Sequence, residues 1–392
     1  MRLERPVRPA GDRTRERWVT VLLTTTMSVS MLQLFLIGAL GPRLVGEAGI
    51  SRTAIGLTTT AGFGAAALLS LTAGRWVDRL GARRCLVALL LLAATALALI
   101  GSASGTPALL AAVALGGLPQ ALANPATNKV ILTAVESGRR GAVTGWKQSG
   151  VQLGAFVAGL PLAALAAWTG WRGAVWTAAA IAALIACGAV LLLAPDSAAT
   201  PVDMPRARVG RLALFSFLLG CGIAAVNTYL ALFGAERLGL GPVMAAWLVA
   251  ALGVTGVAGR VIWSRRAGRL GQAEVLLTPL TAGACGAALL LAAASWAPFL
   301  VWAGAAAVGA FAVAGNAVTM VSVIKRADPR GASRDSALVS AGFFAGFATG
   351  PPLFGILVEA GGYGPGWTLV AAEFAVAAAV AAPSRFRAGA LR

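Results

Sequence analysis

Carboxamide side chains recur at a spacing of four residues in two otherwise apolar stretches of this 392-residue chain. The five residues are Gln120, Asn124 and Asn128 in the first stretch and Gln148 and Gln152 in the second. A spacing of four places the members of each series on one face of a helix. Carboxamides donate and accept hydrogen bonds, so these two faces predict the polar lining of a cavity for a small solute.

Two lysines beside these series could add positive charge. Lys147 directly precedes Gln148, and two interpretations are open: contact with a bound anion, or extension of the long side chain to a polar surface. Lys129 follows Asn128, but a helical wheel turns it away from the carboxamide face. The same alternatives apply to Lys129, and contact with an anion requires a kink at Pro125 that rotates it inward.

Single polar residues in other apolar stretches are further candidates for solute binding: Gln33, Asn227, Tyr229, Arg260 and Asn316. Arg260 lies one turn inside the end of its stretch, so it could close the base of a cavity or reach lipid headgroups. Glu373 is the only acidic residue well inside an apolar stretch. Such a carboxyl is a candidate proton site, and the alternative is a structural hydrogen bond or ion pair.

The elements that carry these residues have the composition of a membrane protein. Hydrophobic residues make up 58% of the chain, charged residues 12%, and the mean hydropathy is +0.81. Soluble domains have roughly a quarter charged residues. Most of the apolar stretches reach the ~20 residues that cross a bilayer as a helix. The twelve predicted segments are 18–41, 53–75, 85–103, 107–130, 142–168, 173–195, 212–234, 243–264, 274–293, 298–323, 335–358 and 366–383.

The distribution of positive charge predicts the orientation of the chain. With the N-terminus in the cytoplasm, 26 of the 32 Lys and Arg residues fall in cytoplasmic loops and tails. Four fall on the other side, and this asymmetry follows the positive-inside rule. We therefore expect a multi-pass protein of a bacterial inner membrane with both termini cytoplasmic. The net charge of +18 does not indicate nucleic-acid binding, because it is spread over short loops that can contact anionic lipids.

Metal, cofactor and enzyme chemistry have no support in the sequence. The chain has no histidine, which is the commonest metal ligand and proton shuttle, and its four cysteines form no CxxC pair. All four lie in predicted helices, where cysteine acts as a small packing residue. We expect no catalytic residue, no metal site and no cofactor.

Residues recur at fixed offsets between the two halves of the chain. Gly49 matches Gly239 at an offset of 190, and Asn124 matches Asn316, Thr127 matches Thr319, Gly150 matches Gly342 and Gly154 matches Gly346 at 192. The repeat predicts an all-α integral membrane protein with twelve transmembrane helices in two pseudo-symmetric six-helix bundles. The expected divisions are a tail (1–17), two halves (18–195 and 211–383), a linker (196–210) and a second tail (384–392).

A short basic loop after the second segment has five residues of a recognisable pattern: Gly74, Asp78, Arg79, Gly81 and Arg83. A degraded copy follows the eighth segment, with Gly268 in place of the acid. The loop resembles the signature loop of the major facilitator superfamily, although Ala82 stands where a basic residue is usual. The resemblance implies the major facilitator fold and a secondary transporter. It also implies that Asp78 and its neighbours gate the cytoplasmic ends of the halves.

Segment 5 carries small residues on one face, at Gly150, Gly154, Ala158 and Pro161. Small residues allow two helices to approach closely. In the resembled family this helix packs at the interface between the halves.

The sequence around the two lysines is similar to a subgroup of this family. Asn124-Pro-Ala-Thr-Asn-Lys129 with Lys147-Gln-Ser-Gly150 resembles the bacterial cyanate and nitrate/nitrite permeases. The resemblance implies a transporter that moves a small organic or inorganic anion by alternating access. The alternative is a proton-coupled efflux pump for a drug or secondary metabolite, although the chain lacks the arginine in segment 4 and the acid in segment 1 that many such exporters carry. The expected partners of this monomer are its solute, membrane lipids and, for coupling, protons.

Overall fold

The computed structural model describes residues 10–136, 139–193, 210–326 and 332–382, and these residues form helices without a strand. The α-helices of the first half are α1 (Ala10–Ala39), α2 (Gly41–Ala48), α3 (Arg52–Leu80), α4 (Ala82–Ser102), α5 (Thr106–Leu115), α6 (Gly117–Ala134), α7 (Arg140–Val157) and α8 (Ala163–Leu192). Those of the second half are α9 (Gly210–Glu236), α10 (Pro242–Arg269), α11 (Leu277–Ala293), α12 (Leu300–Ala307), α13 (Ala314–Arg326), α14 (Ala332–Gly361) and α15 (Tyr363–Ala381). The all-helical prediction is confirmed.

The described residues contain eleven apolar stretches long enough to cross a membrane. One of them, Gly145–Leu192, has 48 residues and would be about 72 Å long as a straight helix at ~1.5 Å per residue. This is more than twice the ~30 Å of a hydrocarbon core. Gly170 has φ 73° and ψ 167°, and this left-handed backbone bends the chain back. The stretch therefore crosses twice, which gives twelve crossings.

Some of the membrane crossings contain an interruption of the regular α-helical hydrogen bonding. The fourth crossing is interrupted at Gly116, between α5 and α6, and not at Pro125, which lies inside the continuous helix α6. The kink predicted at Pro125 stays a prediction. Pro161 lies in a π-helical turn, Ala158–Leu162, because proline has no N–H for the regular bond. A second π-helical stretch, Val308–Val313, begins 192 residues after Gly116.

Glycines bring α7 close to α1 in the first half. A Cβ added to Gly150 would touch the carbonyl oxygen of Thr24, and one added to Gly154 would lie 2.9 Å from that of Ser28. These two glycines therefore face α1 of their own half. The sequence periodicity identified this small face without identifying its neighbour.

The second half repeats this packing. A Cβ on Gly342 would lie 2.5 Å from the carbonyl oxygen of Ala213, and one on Gly346 would touch that of Phe217. Both glycines belong to α14 and both carbonyls to α9. Equivalent glycines thus set equivalent helix distances in the two halves.

The halves meet most extensively where α3 packs against α14 and α7 packs against α10, and α1 also contacts α9. Phe63 of α3 packs against Phe347 of α14 with ring centroids 4.7 Å apart. On the other pair, a Cβ on Gly253 of α10 would lie 2.8 Å from the carbonyl oxygen of Gln152. Both contacts are close enough that no solute passes between the paired helices in this conformation.

The bundle has two distinct ends. We call the end with α2 and the start of α3 the α2 end, and the end with the loop from Gly74 to Arg83 the basic end. Helix α1 begins at Ala10 on the basic end, so part of the predicted tail 1–17 is helical. There, Glu16 pairs with Arg139 at 3.1 Å. Residues 194–209, which hold most of the predicted linker, and 383–392 are outside the described residues.

Replacing Gly346 by Ala should lower the stability of the protein by about 1–3 kcal/mol, because the new methyl group forces α14 away from α9. We expect a lower unfolding temperature in detergent. Gly188→Ala is the matched control: an added Cβ meets nothing within 4 Å there, and alanine favours helix over glycine. Equal stability of the two variants would contradict the packing argument.

Candidate functional site

Lys147 is the centre of a polar cluster between α6 and α7. Its ammonium group donates to Asn128 Oδ1 at 2.6 Å and to Asn124 Oδ1 at 3.2 Å. The side chain is fully buried, although the two asparagines are more accessible. Within the described part of the chain, Lys147 has no ion pair with a carboxylate. The cluster therefore has a buried positive charge that is solvated by amide oxygens alone.

Gln148 joins this cluster to the second half of the protein. Its Nε2 donates to Asn124 Oδ1 at 3.2 Å. Its backbone oxygen accepts a bond of 3.2 Å from Arg260 Nη1 of α10. Arg260 is 9% exposed, and its Nε has no hydrogen-bond partner among the described residues. The guanidinium of Arg260 is thus a second buried cation, bonded to Gln148, which directly follows Lys147 in the chain.

Gln120 and Gln152 lie one turn closer to the α2 end than Asn124 and Gln148. Both glutamines are buried. The Nε2 and Oε1 atoms of Gln120 have no hydrogen-bond partner among the described residues, and the same is true of Gln152 Oε1. A buried polar atom without a partner costs about 1–3 kcal/mol. These amides are therefore available to a polar group that reaches them.

Three predicted site residues lie apart from the Lys147 cluster. Gln33 donates to the Val113 carbonyl oxygen, at 3.5 Å, inside the first half. Tyr229 donates through its hydroxyl to the Arg52 carbonyl oxygen at 2.6 Å, at the α2 end. Asn227 donates to a carbonyl of its own helix, and its Oδ1 has no partner among the described residues. Sequence spacing could not separate these positions from the cluster.

The remaining candidates occupy other surroundings. Lys129 donates to the Val77 carbonyl oxygen at 3.1 Å, near the C-terminal end of α3, where a cation is favoured by the helix dipole. Asn316 is half-buried in α13, and its Oδ1 is unpartnered among the described residues. Glu373 is buried in α15, which packs against α9 and α11. None of these three contacts Lys147 among the described residues, so the site consists of Asn124, Asn128, Lys147 and Gln148 with Arg260 beside them.

Comparisons with known proteins agree with this fold. The family model of the Major Facilitator Superfamily matches residues 22–296 and 212–388. The chain belongs to the major facilitator superfamily. It is therefore a multi-pass membrane transporter, and the family named from the basic loop is confirmed.

Solved structures of this superfamily match the whole bundle. A bacterial homolog of the human lysosomal transporter Spinster, inward-facing and unoccupied, matches with a TM-score of 0.72 and 16% identity over 94% of this chain and 96% of that one. The same homolog in its inward-facing, occupied form matches with a TM-score of 0.72 and 18% identity over 93% and 96%. No curated protein sequence matches this chain. The likeness supports the fold and leaves the solute open.

The superfamily loop at the basic end depends on Gly81. Its φ of 94° is a left-handed conformation that favours glycine, and Gly81 is the single residue between α3 and α4. Arg83 donates to the Val190 carbonyl oxygen of α8 at 2.6 Å, whereas Arg79 is exposed and Gly74 has open space around it. The side chain of Asp78 lies outside the described residues.

Sequence reasoning missed a polar network at the α2 end that joins the halves. It contains Arg52, Glu236 and Glu359, from three different helices. Arg52 was visible only as one of few charges on its side of the chain. Because Glu236 lies 184 residues from Arg52, and Glu359 lies 306 residues from Thr53, whose N–H it accepts, no local pattern could pair them.

Single cysteines at Asn128 and Gln152 should differ in their reaction with a membrane-impermeant maleimide. We expect reaction at position 128, which is exposed, and protection at position 152, which is buried against α10. The background chain has its four native cysteines replaced, and Leu89→Cys, at a fully buried position, is the negative control. Rapid labelling at 152 in the same membranes would mean that α7 and α10 are apart.

Proposed function

We propose that this transporter moves a small anion, organic or inorganic, by alternating access. The observation that supports the proposal is the buried ammonium group of Lys147. It donates hydrogen bonds to two amide oxygens, and no carboxylate of the described residues forms an ion pair with it. Removing a charge from water costs several kcal/mol, and an opposite charge in the site offsets this cost. An anionic solute would supply that charge.

Arg260 extends the proposed site to the second half. Because it holds the backbone oxygen of Gln148, an anion at Lys147 would also lie within the field of this second cation. Gln120 and Gln152 would bind the rest of the solute through their free amide atoms. A solute held by residues of both halves favours one arrangement of the halves over another, which alternating access requires.

The similarity of Asn124-Pro-Ala-Thr-Asn-Lys129 and Lys147-Gln-Ser-Gly150 to the cyanate and nitrate/nitrite permeases supports the same solute class. The excess of arginine at the basic end supports an orientation with that end in the cytoplasm. In this orientation the α2 end faces outward across the bacterial inner membrane. We propose that the protein acts there as a monomer, with Asp78 and Arg79 gating the basic end and Arg83 anchoring that loop to α8.

Replacing Lys147 by Met should weaken the binding of anionic solutes at least about tenfold, which corresponds to ~1.4 kcal/mol. Methionine keeps much of the side-chain volume and removes the charge. The measurement is a thermal-shift titration of the purified protein with a panel of small anions, since a ligand stabilises the folded state by mass action.

Lys129→Met is the matched control, because Lys129 contacts a helix-terminal carbonyl away from the cluster. It should retain the affinity of the parent protein. Stabilisation by lipophilic cations and by none of the anions, or equal losses in both variants, would exclude an anion site at Lys147.

Glu373 supports a second proposal, proton coupling, which also keeps the efflux alternative open. Its carboxyl is buried in the middle of α15, and its Oε2 has no hydrogen-bond partner among the described residues. A carboxyl inside a membrane-spanning helix is a candidate proton carrier. Opening of the surrounding helices to water would favour release of the proton.

Replacing Glu373 by Gln should abolish acceleration of transport by a proton gradient while exchange of solute across the membrane continues. Proteoliposomes with and without an imposed pH gradient separate the two activities. Glu47→Gln, in α2, is the control because its carboxylate is exposed. A Glu373→Gln protein that responds to the gradient like the parent would exclude this residue as the proton site.

A further inference from the structure

An ion pair at the α2 end binds the first turn of α3 to the second half. Arg52 Nε lies 2.8 Å from Glu236 Oε2 of α9, and the hydroxyl of Tyr363 in α15 donates to the same oxygen at 2.8 Å. The carboxylate of Glu236 is thus held by one residue of each half. Its position depends on α3, α9 and α15 together.

The backbone of the same turn is also bound across the halves. Ser51 caps α3 by accepting the Ala54 N–H, but Thr53 N–H is free of its own helix, as the first four amides of any helix are. Glu359 Oε1 of α14 accepts this N–H at 3.0 Å. The Arg52 carbonyl oxygen in turn accepts the hydroxyl of Tyr229. The second half therefore binds three groups of one helical turn: the guanidinium of Arg52, the N–H of Thr53 and the carbonyl oxygen of Arg52.

Directly below this turn the two halves touch. A Cβ on Gly56 of α3 would lie 2.7 Å from the Pro351 carbonyl oxygen and 2.5 Å from the Tyr229 hydroxyl. One turn deeper, Thr60 donates to the Ala348 carbonyl oxygen at 2.5 Å. The contact continues to Phe63 and Phe347. This line of contact leaves no path for a solute between α3 and α14 from the α2 end.

We infer that Arg52, Thr53, Glu236 and Glu359 form a latch that closes the α2 end and must break when the solute site opens there. The ion pair is partly exposed, with side-chain exposures of 41% for Arg52 and 22% for Glu236, and such pairs are individually weak. A set of weak contacts can hold one state and still be released within a transport cycle. The inference rests on the alternating-access part of the proposed function and not on the charge of the solute.

The chain contains a matched control for the latch. Arg43 and Glu47 of α2 form an ion pair of the same 2.8 Å length at the same end, but both belong to one helix. Breaking this pair removes a surface charge without releasing one half from the other. Gly64 is the matched control for Gly56, because it lies in the same helix and an added Cβ meets nothing within 4 Å.

The test uses a reporter cysteine at Thr59, which is 3% exposed, in a chain whose four native cysteines are replaced by alanine. The full-length protein is placed in vesicles with the α2 end outward, and an impermeant maleimide is added outside. We expect Glu236→Gln/Glu359→Gln to raise the labelling rate at least fivefold. Gly56→Ala should do the same, because its methyl group separates α3 from α14.

Glu47→Gln and Gly64→Ala should label at the parental rate, and the charge swap Arg52→Glu/Glu236→Arg should label more slowly than Arg52→Glu alone. Gel filtration selects the folded variants, and the glycine variant tests closure without changing any charge. Parental protection in both Gly56→Ala and the glutamine double variant, or an equal rise in Glu47→Gln, would overturn the latch. The assay needs no solute, so its result is independent of the anion proposal.

Discussion

Hydrocarbon cannot hydrogen-bond to the polypeptide, and this constraint underlies the structure as a whole. Every backbone amide within the membrane needs a partner inside the protein, which leaves helices as the spanning element of this chain. The same constraint acts on side chains. Lys147 is tolerated in α7 because Asn124 and Asn128 of α6 direct their amide oxygens at it. The residues that solvate the charge also define where an anion can bind.

Close helix approach determines the geometry of both halves. Gly150 and Gly154 set the distance between α7 and α1, and Gly342 and Gly346 set that between α14 and α9. In both halves these glycines face backbone carbonyl groups of the neighbouring helix. The two halves therefore have similar helix packing but different polar residues. The lysine cluster lies in the first half and Glu373 in the second.

The two polar regions between the halves have different chemistry. Near Lys147 a hydrogen bond from Arg260 to a backbone oxygen reaches across from the second half, so a charge in the site would compete for that guanidinium. At the α2 end the link consists of carboxylates that hold the first turn of α3. Each link joins residues from separate helices, and each depends on how the halves are arranged.

Periodicity in the sequence was sufficient for the helical class, the twelve crossings and the series that brings Asn124 and Gln148 to Lys147. These features follow from contacts along one helix or between neighbouring helices. The sequence did not show that α5 and α6 meet at Gly116, or that Gly150 packs against α1. It grouped Gln33 and Tyr229 with the site. A spacing identifies which face of a helix is polar or small, but the partner of that face is chosen by packing among helices far apart in sequence, and only the tertiary structure decides it.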